Sequence, residues 1–458
     1  MEKIFLYNTA SKKKEEFRPI RDKQVGIYSC GPTVYSNQHI GNMYAYTIWD
    51  IFVRFLKYAG FNVTWVMNIT DVGHLTSDED RGEDKLEKGA KKEGLSPWDI
   101  AKKYEKQFIN SLELLNINRP DYLPRATEHI KEQIDLARKI EERGFAYKTK
   151  TGLVFDTEKY TDYPKFANLK LEEMNVGSRV EVDEEKKQPW DFLLWVTNQP
   201  EHIMKWSSPW GEGFPGWHLE CSAMSTKYLG QQFDIHTGGI EHIGVHHTNE
   251  IAQGYGAFGE KTANYWLHNA WLTLKDAKMS KSLGNVYTVE QLKEMGYEPL
   301  AFRYLVLSSH YRKGLVFSFE SLEAAEVALN RLRNFVDSWR SEGGEVDENY
   351  KKEFLGVVGD DFAMPEGLAV VWKLIKDTKI SNAKKRATLL DFDRVLGLGL
   401  GKIAKEEVPG EVLELLRKRD EARENKEWIL ADELRDEINK RGYLIEDSAE
   451  GSRVRRIK

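Results

Sequence analysis

VGIYSCGPTVYSNQHIGN, residues 25–42, is the stretch from which the fold can be read. Its first five residues have the character of a short buried strand. Cys30-Gly31-Pro32 stops that strand, because proline cannot donate to a ladder and glycine turns the chain. A helix is expected over residues 39–58, where Ile48, Phe52, Phe55 and Leu56 recur at helical spacing, and Gly60 ends it. Residues 62–67, NVTWVM, supply a second strand. Strand, turn, helix and strand in succession close with a right-handed crossover into a parallel sheet, and ligands of such sheets bind at the carboxyl ends of the strands.

Working outward, residues 75–115 are strongly charged and helical in pattern, with Ser96 before Pro97 placed as an N-cap and first helical residue. Residues 118–210 change texture: several proline-centred turns, a helix near 129–143 and β-like runs such as GLVFD at 152–156 read as an inserted module. From Phe233 the pattern resumes as strand (233–239), helix (246–258) and strand (264–274), so the parallel sheet is split by the insert. Past residue 312 the chain is almost wholly helical, with helices expected at 320–339, 367–379, 384–396 and 411–441 and a hinge at Val408-Pro409-Gly410. Residues 442–458 read as one or two short strands. The expected fold class is α/β: a Rossmann-like parallel sheet split by an insert, an all-α helical bundle, and a small terminal module.

The 458 residues exceed what one hydrophobic core supports, so at least two domains are expected. With 41% hydrophobic and 31% charged residues the chain is globular, and a net charge of −6 argues against non-specific, histone-like nucleic-acid binding. The first residues, MEKIFLYNTASKKKEEF, lack the apolar stretch of a signal peptide, and nowhere does an apolar run reach the roughly 20 residues of a membrane span. A soluble, cytoplasmic protein is expected. Only Cys30 and Cys221 occur, which argues against a disulfide-stapled secreted fold and leaves both as either inert core residues or ligands.

Three constellations carry possible chemistry. His39, Gly41 and Asn42 stand where a helix begins after a strand, beside free backbone N–H groups suited to phosphate; a purely structural histidine would look the same. Lys278 and Lys281 in KMSKS, residues 278–282, offer two cations on a loop that ends at Gly284, either a polyphosphate clamp or a solvated basic loop. His246 and Glu250 lie four apart in a helix and share a face, a metal-binding spacing to which Cys30 and Cys221 would add soft donors favouring zinc. His242 and His247 stand at similar positions, and only helical register with Glu250 favours His246.

YSCGPTVYSNQHIGN, PRATEHI, GWHLECSAMS, HHTNEIAQ and KMSKSLGN, in this order and continuing to EDSAEGSRVRR, resemble the cysteinyl-tRNA synthetases, a class I aminoacyl-tRNA synthetase family. The resemblance implies cysteine activation with ATP and magnesium, release of pyrophosphate, and transfer of cysteine to tRNA(Cys) by a monomer without membrane contact. It implies one zinc ion on Cys30, Cys221, His246 and Glu250, and nucleotide contacts from His39, Gly41, Asn42, Lys278 and Lys281. It further implies an amino-acid pocket at Gly31, Thr70, Trp217 and His236, and anticodon contacts from Arg423, Trp428, Asp432 and Asp447. The implied divisions are a catalytic domain in halves at 1–117 and 211–274, a connective insert at 118–210, a KMSKS and stem-contact region at 275–312, a tRNA-binding helical bundle at 313–404 and an anticodon-binding domain at 405–458. The sequence departs from the family pattern at Thr237 and Gly244-Val245 beside the metal ligands, at Asn42, which takes the place of a more usual histidine, and at Val454 in place of tryptophan.

Overall fold

The computed structural model describes residues 2–73, 84–170, 185–275, 286–339, 344–402, 409–448 and 451–456. By its contacts the chain divides into two compact units, residues 1–400 and 401–458.

The first unit opens with an antiparallel hairpin, β1 (Phe5–Asn8) and β2 (Lys13–Glu16). β3 (Gln24–Ser29), α1 (Ile40–Tyr58) and β4 (Asn62–Met67) then form the expected crossover, with Val25 opposite Val63 and Ser29 opposite Met67. The helix starts one residue later than expected. His39 is its N-cap, with Nδ1 accepting the Asn42 amide at 3.3 Å while Asn42 Oδ1 accepts the His39 amide at 3.2 Å. Asn42 therefore completes a capping box, satisfying helix-end donors that would otherwise be orphaned.

The charged stretch folds as α2 (Lys85–Glu93) and α3 (Pro97–Leu114), the latter capped by Ser96, and α4 (Ile130–Glu142) follows. The insert carries an antiparallel sheet of β5 (Ala146–Thr149), β6 (Gly152–Phe155), β7 (Phe192–Thr197), β8 (Trp206–Ser208) and β9 (Gly211–Pro215), in the order β5-β6-β7-β9-β8, so its sheet runs past the boundary expected at 210. α5 (Trp217–Leu229), β10 (Phe233–Gly239), α6 (His246–Phe258) and β11 (Ala263–Asn269) complete the central layer. That layer runs β11-β10-β3-β4 with every pair parallel. Chain order reverses between β3 and β10, which makes the edge beyond Ser29 and Thr237 the topological switch point where crevices form.

The strand expected at 264–274 is two strands, β11 and β12 (Leu272–Leu274). β12 leaves the central sheet to pair in parallel with β13 (Leu315–Phe317), so a continuous β pattern hides a change of partner. The helical region holds α7 (Val289–Glu294), α8 (Pro299–Leu307), α9 (Phe319–Ser338), α10 (Glu348–Val358), α11 (Met364–Lys376) and α12 (Asn382–Leu396); α7, α8 and α10 add to the helices expected from the sequence. Apolar side chains of these helices, Leu329 of α9, Phe354 of α10 and Phe392 of α12 among them, share one core with Trp49, Phe52 and Phe55 of α1. At the centre of this junction the fully buried Arg303 bonds Asp50 Oδ2 at 2.6 Å, the Leu396 carbonyl at 2.6 Å and the Leu115 carbonyl at 3.1 Å. No helix among the described residues is long and apolar enough to cross a membrane.

In the second unit the single helix expected over 411–441 is broken into α13 (Gly410–Glu424) and α14 (Trp428–Lys440). Asn425 caps the first, and Lys426 turns the chain with φ 63°, a left-handed conformation that ends a helix without glycine or proline. β14 (Tyr443–Ser448) and β15 (Gly451–Arg456) pair antiparallel, and Val412, Leu416, Ile438 and Tyr443 form this unit's small core.

Candidate active site and metal centre

The switch point opens into a cavity lined by Cys30, Gly31, His39, Gly41, Asn42, Thr70, Trp217, Cys221 and His246. Local sequence explains each placement. Cys30 leaves β3 at its carboxyl end, and Gly31 follows where only glycine fits: a Cβ there would stand 1.7 Å from the Asn68 carbonyl oxygen. The Gly31 amide donates to Asn68 Oδ1 at 2.8 Å. Thr70 accepts from Asn68 Nδ2 at 3.0 Å and donates to Glu220 Oε2 at 3.0 Å, so its hydroxyl is fixed from both sides. Trp217 begins α5, its ring 5.6 Å from that of His246.

Behind the cavity wall the donors close up. One ligand atom each from Cys30, Cys221, His246 and Glu250 lie within 4.8 Å of one another, and so do those of a second, overlapping set, Cys30, His236, His247 and Glu250. His246 Nε2 is 3.1 Å and Cys30 Sγ 3.9 Å from Glu250 Oε1, while His236 Nε2 is 2.8 Å from Glu250 Oε2. His247 reaches Cys30 Sγ through Nε2 at 3.3 Å and His268 Nε2 through Nδ1 at 2.7 Å, and His268 Nδ1 meets Thr9 Oγ1 at 2.8 Å. His242 belongs to neither set; its Nδ1 accepts the Gly239 amide at 3.1 Å.

Electrostatics favour a cation here. Burial alone would raise Glu250, but His236 and His246 hold its carboxyl well below the usual range. A hydrogen bond from Cys30, aided by His246, brings the Cys221 thiol down to about 7 against the effect of burial. Burial works the other way on Cys30, raising its thiol, with Cys221 adding to the effect. The His246 imidazole is raised despite burial because Cys221 and Glu250 accept from it. Burial pushes His247 and His268 well below the ordinary imidazole value and His242 to about 3. A metal ion competes with protons for such a cluster, and two thiols with an imidazole and a carboxylate are a donor set that fits zinc.

Other expected residues are placed as follows. His236 is buried behind the wall, stacked on Trp266 with ring centroids 4.4 Å apart. Lys278 and Lys281 lie outside the described residues. In the second unit Arg423 stands in the last turn of α13 while Trp428 and Asp432 belong to α14, so the three stand on two helices and not on one; Asp447 falls in β14. Asn68, Glu220 and His268 were not singled out in the sequence. The signal that could have found Asn68 and His268 is their position at the carboxyl ends of parallel strands.

A sequence profile described as the class I (C) tRNA synthetase catalytic domain matches residues 16–327, and one described as the cysteinyl-tRNA ligase anticodon binding domain matches residues 405–455. The chain belongs to the cysteine–tRNA ligase family. Members of that family similar to it include cysteine–tRNA ligase 1 of Burkholderia lata, 46% identical across 98% of this chain and 96% of the relative. The cysteine–tRNA ligase of Treponema denticola is 43% identical over 97% of this chain and 98% of its own, and that of Thermus thermophilus 38% over 99% of each. Among solved structures, Mycobacterium tuberculosis methionyl-tRNA synthetase in complex with methionyl-adenylate aligns with a TM-score of 0.60 at 17% identity, covering 83% of this chain and 93% of that one. That likeness is one of class I fold.

Proposed function

We propose that the chain is a cysteine–tRNA ligase that activates L-cysteine with ATP and transfers it to the terminal adenosine of tRNA(Cys). The observation that carries this reading is that two thiols and an imidazole, clustered with the carboxylate of Glu250, line the same cavity as the helix start His39–Asn42. The substrate carboxylate attacks the α-phosphate in line, so no protein nucleophile is needed and catalysis rests on positioning and charge stabilisation. His39, Gly41 and Asn42 meet the phosphates at the positive end of α1, and Lys278 and Lys281 neutralise the departing pyrophosphate, which carries magnesium. Gly31, Thr70, Trp217 and His236 shape the amino-acid pocket. Thr70, fixed by Asn68 and Glu220, presents a hydroxyl of defined direction there.

Cys30, Cys221, His246 and Glu250 would hold one zinc ion, which when bound accepts the substrate thiolate as a further ligand. The physical reason to want it is selectivity. Serine differs from cysteine by one atom, and an ordinary pocket separates such pairs by roughly 10–200-fold, whereas preference for a sulfur ligand adds discrimination without an editing site.

For tRNA, the reading assigns the bundle at 313–404 and the module at 405–458, the latter through Arg423, Trp428, Asp432 and Asp447. Trp428 is 59% exposed at the start of α14, an aromatic surface suited to stacking on an unpaired base. The terminal module, similar to an anticodon binding domain over residues 405–455, argues against a ligase acting on an amino sugar, which has no anticodon to read. A monomeric, cytoplasmic enzyme completes the proposal. Purified protein with magnesium is expected to exchange pyrophosphate into ATP only when cysteine is present; zinc-loaded protein without such exchange would overturn the reading. Transcripts with altered anticodons are expected to be charged poorly, and equal charging would remove the role given to Trp428 and its neighbours.

A further inference from the structure

Away from the thiol-rich cavity, three ligating side chains meet in the interior. Asp84 caps α2, its Oδ1 accepting the Glu87 amide at 3.0 Å, and Glu87 stands in the first turn of the same helix. His202 arrives from the insert, in the loop between β7 and β8. Its Nδ1 lies 2.8 Å from Glu87 Oε1 and 3.3 Å from Asp84 Oδ2. Asp84, Glu87 and His202 are 4%, 6% and 6% exposed, and one ligand atom from each falls within 4.8 Å of the others. Phe214 packs edge-on against the imidazole at 3.8 Å between centroids, which fixes the ring, and His202 Nε2 is buried without a hydrogen-bond partner.

We propose that Asp84, Glu87 and His202 form a second metal site, selective for a zinc-like divalent transition cation. The charge argument comes first. Two carboxylates brought together in the interior repel each other and lose hydration, whereas a divalent cation with a neutral imidazole matches their charge. Donor chemistry comes second: an imidazole nitrogen beside two carboxylate oxygens favours zinc-like ions over magnesium and calcium, which take oxygen ligands. Burial is the third point: all three side chains are more than nine-tenths buried, so water does not compete for the donors. The site contains no sulfur, so it is chemically distinct from that cluster and does not depend on the function proposed above.

Its consequence is architectural. Coordination pins the start of α2 to a point of the insert 115 positions further along the chain. The backbone beyond β4 is drawn into the same contact, since a Cβ on Gly73 would stand 1.6 Å from Asp84 Oδ2. The Ile203 amide, donating to Glu87 Oε1 at 2.6 Å, fixes the insert side of the staple.

The test is metal content of the full-length chain, stripped with chelator, dialysed against zinc and measured by elemental mass spectrometry. Two equivalents are expected for the parent chain and one each for His202→Ala and Glu87→Gln, the second variant keeping an acceptor for the Ile203 amide so that folding is preserved. Cys221→Ser is also expected to hold one, which separates the two sites. A parent ratio of one that falls to none in Cys221→Ser overturns the second site while leaving the first. A second equivalent that persists in both His202→Ala and Glu87→Gln overturns it as well, because the ion then sits elsewhere.

Discussion

Replacing Gly238 with alanine would add a carbon 2.6 Å from His247 Cε1, 2.7 Å from His242 Nδ1 and 3.0 Å from His247 Nε2. Those contacts lie about 1 Å inside the favourable separation of roughly 3.5–4.0 Å, so something must move. The backbone is the less mobile partner, because β10 is held by β3 on one side and β11 on the other, with Gly238 opposite His268. The imidazoles must therefore shift, and any shift of His247 disturbs its 3.3 Å contact to Cys30 Sγ. Overpacking of this kind costs about 1–3 kcal/mol in stability. Loss of a group that orients a metal ligand typically lowers metal affinity 10–100-fold. Zinc affinity measured by competition with a chromophoric chelator is thus expected to fall by that factor in Gly238→Ala. It should not change in Gly244→Ala, where an added Cβ meets nothing within 4 Å. A folded Gly238→Ala protein that binds zinc within twofold of the parent would show that the His247 contact does not support the metal centre.

Cys221→Ser is expected to lose zinc and to bring the preference for cysteine over serine in pyrophosphate exchange down to roughly 10–200-fold, and keeping either property would contradict the ligand assignment. Burial raises Asp71 from 3.8 to about 6 although Thr127 donates to it twice. Because the folded-state value is the higher one, this group's contribution is present below about pH 4 and lost as pH rises through about 6, a fall of about 3 kcal/mol. Urea titrations should therefore show a shallower decline in stability between pH 4 and 6 for Asp71→Asn, and an unchanged slope refutes the claim. Arg303→Met removes a buried cation from Asp50 and three carbonyls, so a loss of about 3–5 kcal/mol in urea unfolding is expected; a loss below 1 kcal/mol would be incompatible with the pairing.

Local patterns were legible wherever the deciding interactions are near in sequence. α1, β10 and α6 follow from periodicity and from glycines at their ends, and Ser96-Pro97 marked the start of α3. What stayed hidden depends on partners far along the chain. A β pattern continues through residues 263–274, but Leu272–Leu274 pairs with Leu315–Phe317, and nothing local announces the change. The break between α13 and α14 turns on Lys426 with φ 63°, a residue type that gives no warning of it. His39 suits phosphate binding or a structural role equally in sequence; its ring caps α1, and the side chain also lines the cavity. The meeting of Cys30 with Cys221 depends on sheet order, which spacing could not supply.

Helical register favoured His246 over His247 as the metal ligand, yet both have a nitrogen near Glu250 or Cys30. Hydrogen-bond direction separates the two cases. If Cys30 ligates as a thiolate it can only accept, so His247 must donate through Nε2. His247 Nδ1 then accepts from His268 Nε2–H, and His268 Nδ1 accepts from the Thr9 hydroxyl. If His247 itself ligates through Nε2, the whole chain reverses: its Nδ1–H donates to His268 Nε2, and His268 Nδ1–H donates to Thr9 Oγ1. Burial pushes both imidazoles well below their ordinary values, so each ring is neutral and holds a single proton in either case. The tautomer of His268 therefore reports which histidine binds the metal. Nitrogen chemical shifts of the zinc-loaded protein are expected to show His268 protonated at Nε2; protonation at Nδ1 would transfer the ligand role to His247 and place His246 among the groups that merely surround the ion.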